Sequence, residues 1–597
     1  MTHPPTVPTP EPSGPAALTA RLARWWSGRT VGYWLRLAAL VLAAVLVSVV
    51  YGVTTARTTA GLGPHIATYA VTTDSTITID VGPLGTLQLD SPLPATLGVR
   101  AVVQEIPASV TTVDASTTLQ ALGGDLQTYV QFFSAPQATI HDITQALIND
   151  AVQRAAGAFV LLVGVWVVGR LLLGPARRRE LTLRAAQHSR VVAGVVVAVV
   201  VGGTVLTASD PVRTDDAAGS RRSTVFDGTA LEGARVTGRL GGVLDTYGAQ
   251  VLAAYRANNA FYAAADDAMV AAWDTRQAQI DAEAAAQAER DEDEPSVAGT
   301  AAPTDAPTDA PSDEPSGQLA DGAADEPADE PADEPSATEE AVEPVVLLLV
   351  SDLHCNVGMA PLITSLAERS GADVILDAGD TTMNGTTVEQ YCVTTFAQAA
   401  PDGVPLVTSP GNHDSKDTTA LYAHAGATVL SGEVIEVAGM RILGDSDPNE
   451  TRLGAGTSAA GRETPDEESQ RLADVACDDD DGVDLLLIHT PRVGKFPLED
   501  GCVPAQLSGH LHRRVDPVRI GDGVRYVSSS TAGATSGQPT VGPLHGTAEL
   551  TVLRFDPQER RFLDYQLVQV HKDGSAEVGD RVPWPRLFRT EPPDDDS

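Results

Sequence analysis

VVLLLVSDLHC, residues 345–355, decides how this chain reads. Six apolar residues in a row, rich in Val and Leu, describe a strand buried on both faces of a sheet. A carboxylate, Asp352, and an imidazole, His354, follow at once. Similar runs recur downstream: ADVILDAGD at 372–380, VPLVTSPGNHD at 404–414 and DLLLIH at 484–489, with SGHLH closing the series at 508–512. Helical stretches such as residues 360–370 alternate with the runs, which predicts βαβ units. In open α/β sheets the ligand site lies beyond the carboxyl ends of the strands. Polar groups far apart in sequence therefore converge on one rim.

The residue types set the chemistry. Carboxylate, imidazole and amide donors suit Zn, Fe or Mn, whereas all-oxygen sites suit Mg or Ca. There are more donors here than one ion needs. A carboxylate can bridge two ions, and two ions a few Å apart form a clamp for displacement at phosphorus.

In order, the chain carries D-x-H at Asp352 and His354, G-D at Asp380, G-N-H-D at Asn412, His413 and Asp414, a lone His489, and G-H-x-H at His510 and His512. This series resembles the calcineurin-like metallophosphoesterase family, over roughly the last 250 residues, a length suited to one domain. The resemblance implies a four-layer α/β/β/α sandwich. It implies that Asp352, His354 and His512 hold a first divalent ion and Asn412, His489 and His510 a second (Mn, Fe or Zn), with Asp380 bridging them. His413 would contact the phosphate and protonate the leaving oxygen, and Asp414 would orient its ring. Gly385 matches the family's glycine after the G-D pair, no ligand is missing, and the departure is Cys355, directly after a ligand histidine.

The whole chain has 597 residues, enough for several domains, and a net charge of −39. That balance argues against a basic face for nucleic acid. Residues 1–31 read as a disordered, then basic, cytoplasmic N-terminus, with Arg21, Arg24 and Arg29 beside Trp25 and Trp26. Three apolar segments follow, at 32–53, 155–173 and 191–208, each near the ~20 residues that span a bilayer. The loop 174–190 carries Arg177, Arg178, Arg179, Arg184 and Arg190, so it is assigned to the cytoplasm. The expected topology is therefore a multi-pass plasma-membrane protein, with everything after about residue 209 outside.

Residues 54–154 alternate in places and read as a small mixed α/β extracytoplasmic module, helical from about 119 to 150. Residues 209–290 read as a helical stalk. Its Leu244, Tyr247, Val251, Tyr255, Tyr262, Met269, Trp273 and Ile280 stripe is expected to pack on that module or on another subunit. Self-association through membrane and stalk helices is a further expectation. Residues 291–343 repeat PTDA and DEPA and read as a disordered acidic linker, a spacer reaching on the order of 150 Å. The catalytic domain occupies 344–590, with further strands at 524–529, 548–555 and 562–570.

All four cysteines lie in that domain, and an oxidising compartment would let them pair. Four cysteines allow three pairings. The favoured one joins Cys355 to Cys392, after two successive strands near one rim, and Cys477 to Cys502, which bracket the His489 strand.

Two functions fit. One is a membrane-anchored, outward-facing phosphoesterase that cleaves phosphodiesters or phosphomonoesters with a metal-activated hydroxide. The other is a non-catalytic envelope sensor or scaffold that binds a phosphorylated ligand. The intact donor set favours the enzyme, since a scaffold has no need of a bridging carboxylate and a general acid. Arg492, Lys495, Arg513 and Arg514 lie near ligands in sequence and read as surface cations rather than a second phosphate site.

Overall fold

The computed structural model describes residues 28–63, 65–94, 96–104, 136–174, 176–177, 180, 221–227, 231–293, 343–452, 455–535 and 544–586. The chain enters through helix α1, Gly28–Thr55, and a second long helix, α2, covers Pro136–Leu172. Within them Tyr33–Thr55 and Thr139–Leu172 are long and apolar enough to cross a membrane, with mean hydropathies of 2.5 and 2.1. Their apolar side chains point outward, Leu42 and Leu171 being 70% and 77% exposed. The two helices meet closely at Gly52, where a Cβ would stand 2.3 Å from the Ala151 carbonyl oxygen, a small-residue crossing of the kind bilayers favour. The third expected span, 191–208, lies outside the described residues.

Between the two helices come β1 Arg57–Leu62, β2 His65–Thr72, β3 Thr76–Asp80, β4 Thr86–Asp90 and β5 Gly98–Val103. The sheet is completed by β6 Arg221–Arg222 and β7 Arg235–Val236, giving the order β1-β2-β5-β3-β4-β7-β6. This corrects the expected boundary, because the module does not close at residue 154. Strand β7 pairs with β4, and Thr237 Oγ1 accepts the Thr86 amide at 2.9 Å. The expected helix of 119–150 begins, among the described residues, at Pro136, and it runs without a break into the apolar stretch.

Helix α3, Ala249–Asp293, corrects a second expectation. Tyr262, Ala265, Met269 and Trp273 recur at helical spacing and are buried. Their part of the stripe packs into the core of the C-terminal domain, whereas Leu244, at the head of the expected stripe, packs with Leu87 and Val236 of the first module as expected. Polar contacts flank it: Ser365 Oγ donates to Asp266 at 3.1 Å and Arg369 pairs with Asp274 at 2.9 Å. The first module and α2 touch the same domain. Asp142 of α2 accepts from Thr394 Oγ1 at 2.6 Å and Gln390 Nε2 at 3.1 Å, and Gly61 of β1 backs onto Val388. The domain is thus seated on what precedes it rather than held at the end of a long spacer. Residues 294–342 of the acidic segment lie outside the described residues.

The C-terminal domain opens with β8 Val345–Val350, α4 Ala360–Ser370, β9 Val374–Asp377, α5 Gln390–Ala397, β10 Leu406–Thr408, α6 Lys416–His424 and β11 Thr428–Val429. Strands β8 to β11 are parallel, as the alternation predicts. Then come β12 Ile435–Val437, β13 Met440–Leu443, the hairpin β14 Asn449–Arg452 and β15 Gly456–Ala459, and α7 Pro465–Cys477. Next are β16 Leu485–Leu487, β17 Ala505–Ser508, β18 Val515–Ile520 and β19 Gly523–Val527. The chain ends with β20 Ala548–Asp556, β21 Arg561–Val570 and β22 Ala576–Pro583. Two sheets result, ordered β11-β10-β9-β8-β20-β21-β22 and β12-β13-β16-β17-β19-β18.

Alternation along the strands explains the unbroken apolar runs. Leu347 and Leu349 face Ile442, Leu487 and Tyr526 of the other sheet. Leu348 and Val350 point the other way, under Leu362, Leu366 and Tyr262. On the far side Leu486 and Ile488 lie under Leu472 and Ala476 of α7. Disulfides join Cys355 to Cys392 and Cys477 to Cys502.

Candidate metal centre

The candidate residues sit just past strand ends: Asp352 and His354 after β8, Asp380 after β9, Asn412 after β10, His489 after β16, His510 and His512 after β17. The backbone turns sharply there. Asp352, His354, Asp380, His510 and His512 all have positive φ, between 42° and 73°. Such left-handed non-glycine residues cost on the order of 1 kcal/mol each and persist only where surroundings hold them. Here the Asp352 amide donates to Gly379 O at 2.8 Å and the His354 amide to Asp380 O at 2.9 Å. The His510 amide donates to the Asp352 carboxylate at 3.0 Å. Two glycines allow the close approach. A Cβ on Gly411 would lie 2.2 Å from Asp380 Oδ1, and one on Gly509 would lie 1.8 Å from Ser351 Oγ.

Two clusters form, and they share Asp380. In one, Asp352, His354, Asp380 and His512 bring their donor atoms within 4.8 Å of one another. His354 Nε2 faces His512 Nε2 at 2.9 Å, and His512 Nε2 lies 3.3 Å from Asp352 Oδ1. In the other, His489 Nε2 lies 3.2 Å from Asp380 Oδ2 and 3.1 Å from Asn412 Oδ1, with His510 Nδ1 2.8 Å from the same amide oxygen.

The donor chemistry fits cations. His489 Nδ1 is 2.7 Å from the Ala378 carbonyl oxygen, so that nitrogen carries the proton and Nε2 presents a lone pair. Asn412 Nδ2 donates to Thr451 Oγ1 at 2.8 Å, which aims its oxygen inward. Lone pairs from an imidazole, an amide oxygen and a carboxylate therefore converge. In the first cluster the Nδ1 atoms of His354 and His512 are buried without a hydrogen-bond partner, and it is the Nε2 atoms that are turned towards each other and towards Asp352.

Asp352 and Asp380 are buried. Burial pushes the Asp380 carboxyl up, but the surrounding His489, His413 and His354 rings outweigh it and hold it well below the usual range. Burial drives the His354 imidazole down to about 4, which leaves it neutral and able to ligate. Burial also disfavours charge on His489, yet the Asp380 carboxylate beside it draws that ring well above its ordinary value, so Nε2 holds a proton against Asp380 until a bound cation displaces it and takes the lone pair.

His413 stands edge-on to His354, ring centroids 5.0 Å apart. Its Nδ1 lies 2.7 Å from Met383 O, and its amide donates to Asp380 Oδ1 at 2.8 Å. Asp414 departs from its expected role. It does not reach the His413 ring, which Met383 O orients instead. Its carboxylate accepts the amides of Gly411 at 2.9 Å, Asp380 at 3.1 Å, Thr381 at 3.3 Å and Thr382 at 2.9 Å.

Sequence reading missed Arg452. From β14 its guanidinium donates to the carbonyl oxygens of Asn412 and His413, both at 3.2 Å, and of Asp414 at 3.0 Å. No motif marks it. Glu389 was also missed, although T-x-x-E at 386–389 is a capping-box signal. It is buried and accepts the Met383, Asn384 and Thr386 amides, fixing the loop that holds His413. Among the candidate phosphate cations, Arg492 pairs with Asp466 at 2.7 Å and Arg514 with Glu549 at 2.7 Å.

Residues 345–514 match the calcineurin-like phosphoesterase family. No curated protein matches the chain. Among solved structures, an archaeal phosphodiesterase is 10% identical at a TM-score of 0.24, covering 38% of this chain and 100% of its own. A phosphatase from Mycoplasma pneumoniae is 12% identical at 0.27, covering 42% and 98%. A dimetal phosphatase from Danio rerio is 13% identical at 0.27, covering 41% and 100%.

Proposed function

We propose that this chain, whose C-terminal part carries a calcineurin-like phosphoesterase domain, is a membrane-anchored hydrolase that cleaves phosphodiester or phosphomonoester bonds with two divalent metal ions. The observation that carries the reading is the shared Asp380: one buried carboxylate belongs to two adjacent clusters of lone pairs. Asp352, His354 and His512 would hold one ion, Asn412, His489 and His510 the other, and Asp380 would bridge. Bound there, divalent cations neutralise charge on phosphoryl oxygens and lower the pKa of water. The chain's own groups do the rest. His413, fixed through Nδ1 to Met383 O, offers Nε2 towards the leaving oxygen and hands it a proton. Asp414 and Arg452 fix the 411–414 loop so that Asn412 and His413 keep their aim. The packing of helices outside both sheets supports a four-layer α/β/β/α reading.

The side of the membrane follows from chemistry. Two disulfides favour an oxidising compartment, and the arginines of 174–190 favour the cytoplasm for that loop. The domain therefore faces outward from the plasma membrane.

The test is hydrolysis of bis-p-nitrophenyl phosphate and p-nitrophenyl phosphate by the full chain in detergent, with Mn, Zn or chelator. The expected result is metal-dependent turnover that Asp380→Asn and His413→Ala abolish while the fold survives. Wild-type-like turnover in both variants sinks the proposal.

A further inference from the structure

The loop that carries His354 has a prop from outside the family domain. Residues 352–356 run through two consecutive left-handed non-glycine conformations, φ 42° at His354 and 55° at Cys355. Inside the domain, three ties hold them: the His354 amide on Asp380 O, the Cys355 amide on Thr381 O, and the Cys355–Cys392 disulfide. The turn then ends on Asn356, whose side chain is fully buried. Its Nδ2 donates to Ala532 O at 3.2 Å, beside Ser530, whose Oγ donates to the Asp352 carbonyl at 2.8 Å. Its Oδ1 takes a hydrogen bond from the hydroxyl of Tyr262, 2.8 Å away on α3.

Tyr262 is itself buried, 4% exposed, and the loop is shaped to receive it. A Cβ on Gly358 would lie 2.3 Å from the Tyr262 ring, so the glycine is the gap the ring fills. The seat is extended along α3 by Met269 and Trp273 in the same core and by the Asp266–Ser365 and Asp274–Arg369 contacts. The helix is thus aligned over several turns and the phenol aims at one atom.

We propose that Tyr262 is a positioning residue of the metal centre: through Asn356 it fixes the turn that presents His354, so that docking of α3 sets the affinity of the Asp352–His354–His512 cluster. A buried amide oxygen that loses its donor rearranges to find another, and the turn it closes moves with it. Outer-shell partners of metal ligands typically govern affinity by about 10- to 100-fold. The inference rests on the metallophosphoesterase reading above.

The test is chelator-competition titration of Mn2+ on the full chain in detergent, with kcat and KM on bis-p-nitrophenyl phosphate. Tyr262→Phe removes one oxygen and leaves the ring seated. The expected result is one Mn2+ weakened about 10- to 100-fold with the other unchanged, kcat reduced and KM kept. Gly358→Ala, which pushes against the ring, reproduces this loss, and the effect of Gly358→Ala disappears in a Tyr262→Ala background, where the space is open. Wild-type affinity for both ions in Tyr262→Phe overturns the proposal, even if the melting temperature falls. So does equal weakening of both ions. If the wild-type chain binds no Mn2+ and hydrolyses neither ester, the functional reading has failed and this inference fails with it.

Discussion

The carboxylate of Asp414 lies 3.1 Å from the amide nitrogen of Asp380, so one acid of the site holds the backbone that presents the other. Four amides, those of Asp380, Thr381, Thr382 and Gly411, converge on Asp414. Replacing it with Ala strands them in a site where Asp414 is only 8% exposed. Each stranded donor costs about 1–3 kcal/mol, so Asp414→Ala should lose about 3 kcal/mol or more of stability. His413→Ala should lose activity with little change in stability. Thermal unfolding beside turnover for both variants separates the roles; equal melting temperatures would return Asp414 to the His413 ring.

Arg452 should matter as much as a ligand's neighbour. Its guanidinium bridges three consecutive carbonyls, and a lysine's compact ammonium cannot span them. Arg452→Lys is expected to lower kcat about 10-fold or more while leaving secondary structure intact. Steady-state kinetics with circular dichroism check this, and an unchanged kcat would reduce Arg452 to a surface cation.

These two residues mark the limit of what the sequence told. Strand ends are legible because apolar runs such as VVLLLV stop where the polar residues begin, while the seven expected donors came from the resemblance of the motif series to the calcineurin-like family. The same strand order favoured the disulfide pairing that the structure has, out of three the sequence left open. Arg452 was invisible because it reaches the 411–414 loop from a hairpin about 40 residues on, and its partners are backbone carbonyls that carry no residue signature. Asp414 was misjudged for a related reason: its partners are amides. The stripe Tyr262, Met269, Trp273 was read correctly as packing, but periodicity names a buried face, not what buries it.

Glu468 offers a test by pH. It is 2% exposed on α7, and burial, reinforced by the Asp445 carboxylate, pushes its carboxyl up to about 8 from an ordinary 4.5. The folded state thus prefers the protonated acid. Its contribution to stability is fully present below about pH 4.5 and is lost as pH rises through 8. Glu468→Gln mimics the protonated form. The variant should match the wild type in melting temperature at pH 5 and exceed it at pH 9. A difference of the same size at both pH values would show that Glu468 is charged in the fold.

Truncation tests how far the catalytic unit extends. The family match begins at residue 345, yet α3, Ala249–Asp293, lends Tyr262, Met269 and Trp273 to that domain's core. Each large apolar side chain buried is worth about 1.5–3 kcal/mol, so removing three costs on the order of 5 kcal/mol. That is a large part of a domain's usual margin. Residues 344–597 expressed alone should therefore melt lower than residues 249–597 and bind a hydrophobic dye at the uncovered face. The effect should vanish when the helix is restored, and a Trp273→Ala change in the longer fragment should recover part of it. Identical melting curves for the two fragments would mean that α3 only rests on the domain. In that case the boundary at residue 344 stands.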